Sequence, residues 1–277
     1  MLMVPKQFSS EIAVKPADAV ALHCTLSSGK QWRPLMDRLG NAFRVQTPDM
    51  SGYGQEMRPP HFPATLQSEA ELLDDCLAAV PGAFHLIGHS HGGATAFRLA
   101  LMPKYARRIR SLTLIEPVLP GALLTHAGDV GLYWDFAEVA SSVCMSIVNN
   151  QLDTGLDTFI DFWNGSGAAA RLPADARSQM IDQVGKVAID FSAIFAEESV
   201  IANARTIAVP TLILAGNRSP RATQQIAARL YEAIPCACFT SLAGAGHMLP
   251  ITHAAEVNAH IHNHVVANEI RHEPIAA

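Results

Sequence analysis

Gly88-His89-Ser90-His91-Gly92-Gly93 stands directly after the apolar run Ala83-Phe84-His85-Leu86-Ile87 and directly before Ala94-Thr95-Ala96-Phe97-Arg98-Leu99-Ala100, a helical pattern. A strand, a Gly-x-Ser-x-Gly turn and a helix in that order describe a nucleophile elbow. A turn that lifts a serine hydroxyl clear of a sheet forces the backbone into a crowded geometry. Small neighbours at Gly88 and Gly92 let the strand and the helix approach each other. The start of the helix also points N–H groups at the site, where developing negative charge is favoured.

Outward from this turn, short apolar runs alternate with helical patterns. The spacing predicts strands at residues 20–23, 43–47, 84–88, 111–115, 211–215 and 237–242. It predicts helices at 31–39, 66–80, 223–233 and 254–266. Strands alternating with helices make βαβ units, hence an α/β fold with a mostly parallel sheet and helices on both faces. One region breaks the rhythm. Between residues 117 and 205 no buried strand is evident, while 131–149, 156–163 and 174–198 are helical in pattern. Pro117, Pro120 and Gly121 punctuate its start and Pro210 follows its end. This predicts a helical cap at residues 117–205, inserted into a core made of residues 1–116 and 206–277. Its aromatic residues, Trp134, Phe136, Phe159, Phe162, Trp163, Phe191 and Phe195, are expected mostly to pack the cap onto itself, with one or two facing the elbow as the wall of an apolar pocket.

A serine hydroxyl is a poor nucleophile at neutral pH and needs a neighbouring base, itself held by an acid. Position must choose among 12 histidines. His247 lies in Gly244-Ala245-Gly246-His247-Met248, a small-residue loop after the last expected strand, where flanking glycines let the imidazole approach the elbow. His260 and His264, four apart on the last helix, have metal-ligand spacing, but no third ligand stands nearby and they read as a solvated face. No metal or cofactor is expected.

From Leu22-His23 through the elbow to Gly244-Ala245-Gly246-His247, the chain resembles the α/β-hydrolase superfamily over nearly its whole length. That resemblance implies the α/β-hydrolase fold, with the cap following strand six of the family's count, here residues 111–115. It places the second oxyanion donor in the loop Leu22-His23-Cys24-Thr25-Leu26, which resembles the family's His-Gly-x loop with Cys24 in place of the glycine. The backbone N–H of Thr25 is then the second donor, Leu26 the fallback, and the N–H of His91 the first. The acid departs from the common pattern. Many members carry an aspartate a few residues past the glycine that ends strand seven, but this segment reads Leu214-Ala215-Gly216-Asn217-Arg218-Ser219-Pro220, with Ser219 at that position. The sequence Leu112-Thr113-Leu114-Ile115-Glu116-Pro117 offers another carboxylate. A charge at the end of an apolar strand is costly to bury without a partner, and strand C-termini of a parallel sheet converge on the ligand crevice. In this respect the chain resembles the subset of the superfamily with its acid after strand six, and the expected triad is Ser90, Glu116 and His247. Asp49 is the weaker candidate and reads as capping the turn Met50-Ser51-Gly52-Tyr53-Gly54.

Composition limits the partners. The chain has 277 residues, 49% of them hydrophobic and 16% charged, with a net charge of −5, which argues against nucleic acid. No apolar run is long enough to span a bilayer. Residues 1–10, with Pro5 and Lys6, lack the apolar core of a secretory signal. The 5 cysteines are scattered and odd in number, which fits a reduced, cytoplasmic protein. The expected partner is a small molecule; association with copies of itself is left open. A serine nucleophile implies hydrolysis of a small, largely apolar carboxylic ester or lactone through an acyl-enzyme. The alternatives are a carbon–carbon bond hydrolase of ring-cleavage diketones, which within the superfamily shares triad and cap, and a non-catalytic small-ligand receptor on the same fold.

Overall fold

In a computed structural model, the structure describes residues 16–56 and 63–270; the expectation for residues 1–10 falls outside them. Six parallel strands form one sheet in the order β2-β1-β3-β4-β5-β6. They are β1 (Ala17–Leu22), β2 (Phe43–Gln46), β3 (Phe84–His89), β4 (Ile109–Ile115), β5 (Thr211–Gly216) and β6 (Ala237–Leu242). The helices between β1 and β4 are α1 (Arg33–Leu39), α2 (Leu66–Glu71), α3 (Asp74–Ala79), α4 (His91–Leu101) and α5 (Pro103–Ala106). Between β4 and β5 come α6 (Val130–Val148), α7 (Leu152–Asn164), α8 (Ala174–Phe195) and α9 (Val200–Ala204). Helix α10 (Arg221–Ala233) joins β5 to β6, and α11 (Leu249–Thr252) and α12 (Ala254–Ile270) follow β6.

The two-residue period of the strands divides the core. Ala19 and Ala21 of β1, Ile87 of β3 and Leu212 and Leu214 of β5 pack with Leu35 of α1 and Val257, Ile261 and Val265 of α12. The alternate residues Val20, Leu22, Leu86 and Ile213 point to the opposite face, where Phe97 of α4 and Ile226 and Leu230 of α10 cover them. The four central strands are buried on both faces, so their sequence reads as continuous apolar runs rather than as alternation. The expected strands and the helices of the 117–205 region all form, with ends shifted by a few residues.

One expected element differs. The predicted helix at 66–80 divides into α2 and α3. The Thr65 hydroxyl accepts the Ser68 N–H at the start of α2, and the ladder then tightens at Leu73, whose N–H bonds the Ala70 carbonyl three residues back. Such a tightened turn ends one helical segment and restarts the next. Asp74, first residue of α3, takes Lys104 Nζ at 2.6 Å and the Tyr105 hydroxyl. That anchor to α5 is a long-range pairing which periodicity within 66–80 does not encode.

Candidate active site

Ser90 caps α4 with φ 57° and ψ −119°, a left-handed backbone that costs a non-glycine residue free energy and persists only where its surroundings impose it. Its N–H donates to the Ile115 carbonyl of β4 at 3.0 Å, and its carbonyl accepts from Ala94 at 2.9 Å. Close approach requires both elbow glycines. A Cβ on Gly88 would stand 2.3 Å from the Gly92 carbonyl oxygen, and one on Gly92 would stand 2.4 Å from that of His23.

His247, in the loop between β6 and α11, brings Nε2 to 3.0 Å from Ser90 Oγ. Its Nδ1 lies 2.6 Å from Glu116 Oε2. A carboxylate only accepts, so Nδ1 carries the proton, Nε2 is left as acceptor, and the serine hydroxyl donates to it. Glu116 follows β4, has φ 42° and is completely buried. Its second oxygen, Oε1, accepts the Gly216 N–H at 2.6 Å and the Ser219 hydroxyl. The buried charge therefore has partners on both oxygens, as its position demands.

The structure thus brings the three expected triad residues into one hydrogen-bonded chain. Asp49 lies apart from it. Its Oδ1 accepts the Gly29 N–H at 2.7 Å and its Oδ2 the Gln55 N–H at 2.8 Å, bracketing the turn at residues 50–54. Of the expected oxyanion residues, Thr25 and Leu26 line the same cavity as Ser90 and His247, and Leu26 has φ 56°. His91 opens α4 next to Ser90, with its side chain turned toward Asp190 of α8, 3.5 Å from Nε2 to Oδ1. The loop ahead of Thr25 is fixed by His23, whose Nδ1–H donates to the Cys24 carbonyl at 2.7 Å and whose Nε2 accepts the Met50 N–H at 2.9 Å. Cys24 is no rival nucleophile, because burial pushes its thiol up to about 12.

The cavity holds about 340 Å³. Phe159, Ile160 and Trp163 of α7 and Met180 of α8 form its roof, and Leu172 and Ile251 complete the apolar wall. The aromatic residues divide as their number suggests. Phe136 packs within the helical segment against Phe162, Phe191 and Phe195, while Phe159 and Trp163 face the elbow and Trp134 is exposed.

A model of the alpha/beta hydrolase family matches residues 19–260. The chain belongs to this family. Among curated relatives, a pimeloyl-acyl-carrier-protein methyl ester esterase of Aliivibrio salmonicida is 33% identical over 87 residues, covering 31% of this chain and 31% of the relative. The matches to the curated relatives span between 8% and 31% of those proteins' lengths. Two solved structures superpose over most of both chains. The enol-lactonase from Burkholderia xenovorans LB400 has a TM-score of 0.68 at 20% identity, covering 91% of this chain and 92% of its own. The meta-cleavage product hydrolase from Pseudomonas fluorescens IP01 has a TM-score of 0.61 at 18% identity, covering 91% and 92%. At such identities the likeness speaks for the alpha/beta hydrolase fold.

Three features of this alpha/beta hydrolase site escaped the sequence. Trp163 stacks on the His247 ring, with centroids 4.1 Å apart and planes at 23°, so α7 supplies one wall against the imidazole. Ser219 supports the acid from the position where family members often carry the acid itself. His89 forms the third. Its Nε2–H donates to the His247 carbonyl at 2.9 Å, and its Nδ1 accepts from Gln31 Nε2 at 3.1 Å. Burial holds this ring well below the usual histidine range, hence neutral and able to donate and accept at once. Of the three, only the serine left a signal, in the empty acid position.

Proposed function

We propose that this chain is a serine hydrolase for a small, largely apolar carboxylic ester or lactone, acting through Ser90, His247 and Glu116. The observation that carries the reading is the chain from Ser90 Oγ to His247 Nε2 and from His247 Nδ1 to Glu116, opening on an apolar cavity of about 340 Å³. Ser90 Oγ attacks the ester carbonyl and its proton passes to His247 Nε2. Glu116 stabilises the imidazolium, and the backbone N–H groups of His91 and Thr25, or of Leu26 beside it, receive the oxyanion. The imidazolium gives its proton to the leaving alkoxide. Water, deprotonated by the same nitrogen, then releases the acid. The reaction needs no metal or cofactor, and its partner is a small molecule. The free cysteines fit the reduced cytoplasm, and among the described residues no helix is long and apolar enough to cross a membrane.

The cavity favours an uncharged substrate. None of the described residues that line it is a lysine or arginine, so the carboxylate of a ring-cleavage diketo acid would enter without a counter-charge. A volume at the low end for small-molecule sites matches a short acyl chain. The name of a curated relative, a methyl ester esterase, supports the same reaction class. The test sets p-nitrophenyl butyrate beside a vinylogous diketo acid, with Ser90→Ala as control. The expected result is turnover of the ester, its loss in Ser90→Ala, and organophosphate labelling of the parent at Ser90. Preferential turnover of the diketo acid overturns the ester assignment. Absence of turnover together with failure to label favours a ligand receptor.

A further inference from the structure

Behind the two expected oxyanion residues lies a buried polar cluster that the triad does not use. Asp190 of α8 is its centre and is almost fully buried. Its Oδ2 accepts the Thr25 hydroxyl at 2.7 Å and the Tyr53 hydroxyl at 2.7 Å. Its Oδ1 accepts from Lys186 Nζ, which also donates to Glu69 Oε1 at 2.9 Å. His91 Nε2 stands 3.5 Å from Oδ1, long for a hydrogen bond, and both ring nitrogens of His91 are buried without a hydrogen-bond partner among the described residues. Glu69, His91 and Asp190 have the spacing of a cation site. Here Lys186 already stands between the two carboxylates and supplies the positive charge, so the group is an ion-pair network.

Stability alone accounts poorly for such a network. Removing two carboxylates and an ammonium from water is costly, and comparable buried pairs are often replaced by apolar groups without loss. What distinguishes this one is where it ends. Thr25 and His91 are the two residues whose backbone N–H groups are read as oxyanion donors. One carboxylate lies against the side chains of both and is not among the described residues that line the cavity. A hydroxyl held at 2.7 Å restrains the residue that carries it, and an oxyanion hole depends on donors being fixed before charge develops.

We propose that Asp190 is the positioning residue of the oxyanion hole, holding Thr25 by its hydroxyl and packing beside the His91 ring so that the Thr25 N–H is fixed relative to that of His91. The proposal rests on the serine-hydrolase reading above. It also gives the inserted helices a role in the chemistry. Asp190 belongs to α8, between β4 and β5, while Thr25 follows β1 and His91 follows β3. The hole is assembled only when α8 is seated on the core, and Lys186 with Glu69 of α2 holds it there.

The test is kinetic, with p-nitrophenyl butyrate as substrate and an alkyl trifluoromethyl ketone, which forms a tetrahedral adduct with an active serine, as transition-state mimic. In Asp190→Asn and Thr25→Val, kcat is expected to fall about 10- to 100-fold, less than the full loss of one oxyanion donor, with KM within about threefold of the parent. The inhibition constant of the ketone rises by the same factor as kcat falls. Thr25→Ser, which keeps the hydroxyl, restores kcat to within about threefold. A merely structural Asp190 would lower the melting temperature without moving the ratio of ketone to substrate affinity. If Asp190→Asn does not fold, the neutral and nearly isosteric pair Thr25→Val and Thr25→Ser decides alone. Unimpaired kcat in Thr25→Val, or a loss carried entirely by KM, overturns the proposal while leaving the hydrolase reading intact. A parent protein that the ketone does not inhibit overturns both.

Discussion

Two oxygens of one side chain decide which carboxylate can serve His247. Glu116 Oε2 faces the imidazole, and Oε1 is occupied by the Gly216 N–H and the Ser219 hydroxyl. Two donors on the far oxygen fix the carboxyl in the orientation that meets the imidazole, so Gly216 and Ser219 hold Glu116 in place for His247. The contact also shows how near the two positions lie. A carboxylate at position 219 would stand beside the group that now bonds His247 Nδ1. Glu116→Gln is therefore expected to lower kcat on p-nitrophenyl butyrate by an amount on the order of 10⁴, the loss seen for a triad carboxylate exchanged for its amide. Adding Ser219→Asp to that variant returns a carboxylate to the neighbouring position. The double variant is expected to recover at least about tenfold in kcat over Glu116→Gln, a difference of about 1.4 kcal/mol in barrier. Steady-state rates of the parent and the two variants check it, and no recovery would show that the imidazole admits an acid only from β4.

Glycines of the same composition have opposite parts to play in different elements. In α4, Gly92 faces the end of β1, and an added Cβ would meet the carbonyl oxygens of His23 and Leu22 at 2.4 and 2.6 Å. These are backbone atoms, held by the sheet and by the His23 ring, and cannot yield cheaply. In α8, Gly185 has open space around its Cβ position and ordinary helical backbone. Gly92→Ala is expected to lower unfolding free energy by about 3 kcal/mol through overpacking. Gly185→Ala should raise it by about 0.5–1 kcal/mol by reducing the freedom of the unfolded chain. Urea titrations of the two variants beside the parent measure both signs. The elbow was legible because its chemistry is local: strand, small residue, serine, small residue and helix adjoin in sequence. The division of residues 66–80 was not, because Asp74 is held from α5. The aromatic residues of α6 to α8 were legible as a set, since their helical spacing marks an apolar stripe. Which of them reach the elbow depends on how α7 crosses it, and Trp163 meets His247 only through that crossing.

Over the whole molecule, the sheet and its helices could be read from alternating runs, and the triad from the ends of strands, because a parallel sheet gathers its C-terminal loops at one edge. Less legible was the polar wiring within the sheet and around those loops. It joins Asp190 to Thr25, His89 to Gln31, and His85 to Ser111 and Glu269, residues far apart in the chain whose pairing only the fold creates. That wiring sets how the protein responds to acid. Burial lowers His23 to about 4 and His85 to about 4, holds His89 well below the ordinary histidine value and lowers His91 as well. Each is neutral in the folded state, while the unfolded chain protonates its histidines near 6.5. The folded values lie below the unfolded ones, so the unfolded state binds more protons as the pH falls below about 6.5, and stability drops from there toward pH 4. Asp190 is held below the usual carboxylate range by His91 and Lys186 despite its burial. Its contribution persists until the pH falls through the carboxylate range itself, so the decline between 6.5 and 4 belongs to the histidines. Each of the four adds up to about 1.4 kcal/mol of loss per pH unit. Unfolding free energies from urea titrations are therefore expected to be flat between pH 7 and 8 and to fall steeply between pH 6 and 4.5. In His85→Gln the slope should shrink by about a quarter, because one of the four proton uptakes is gone. A profile that stays level to pH 4.5, or a slope unchanged in His85→Gln, would mean that these rings take up their protons without unfolding the sheet around them.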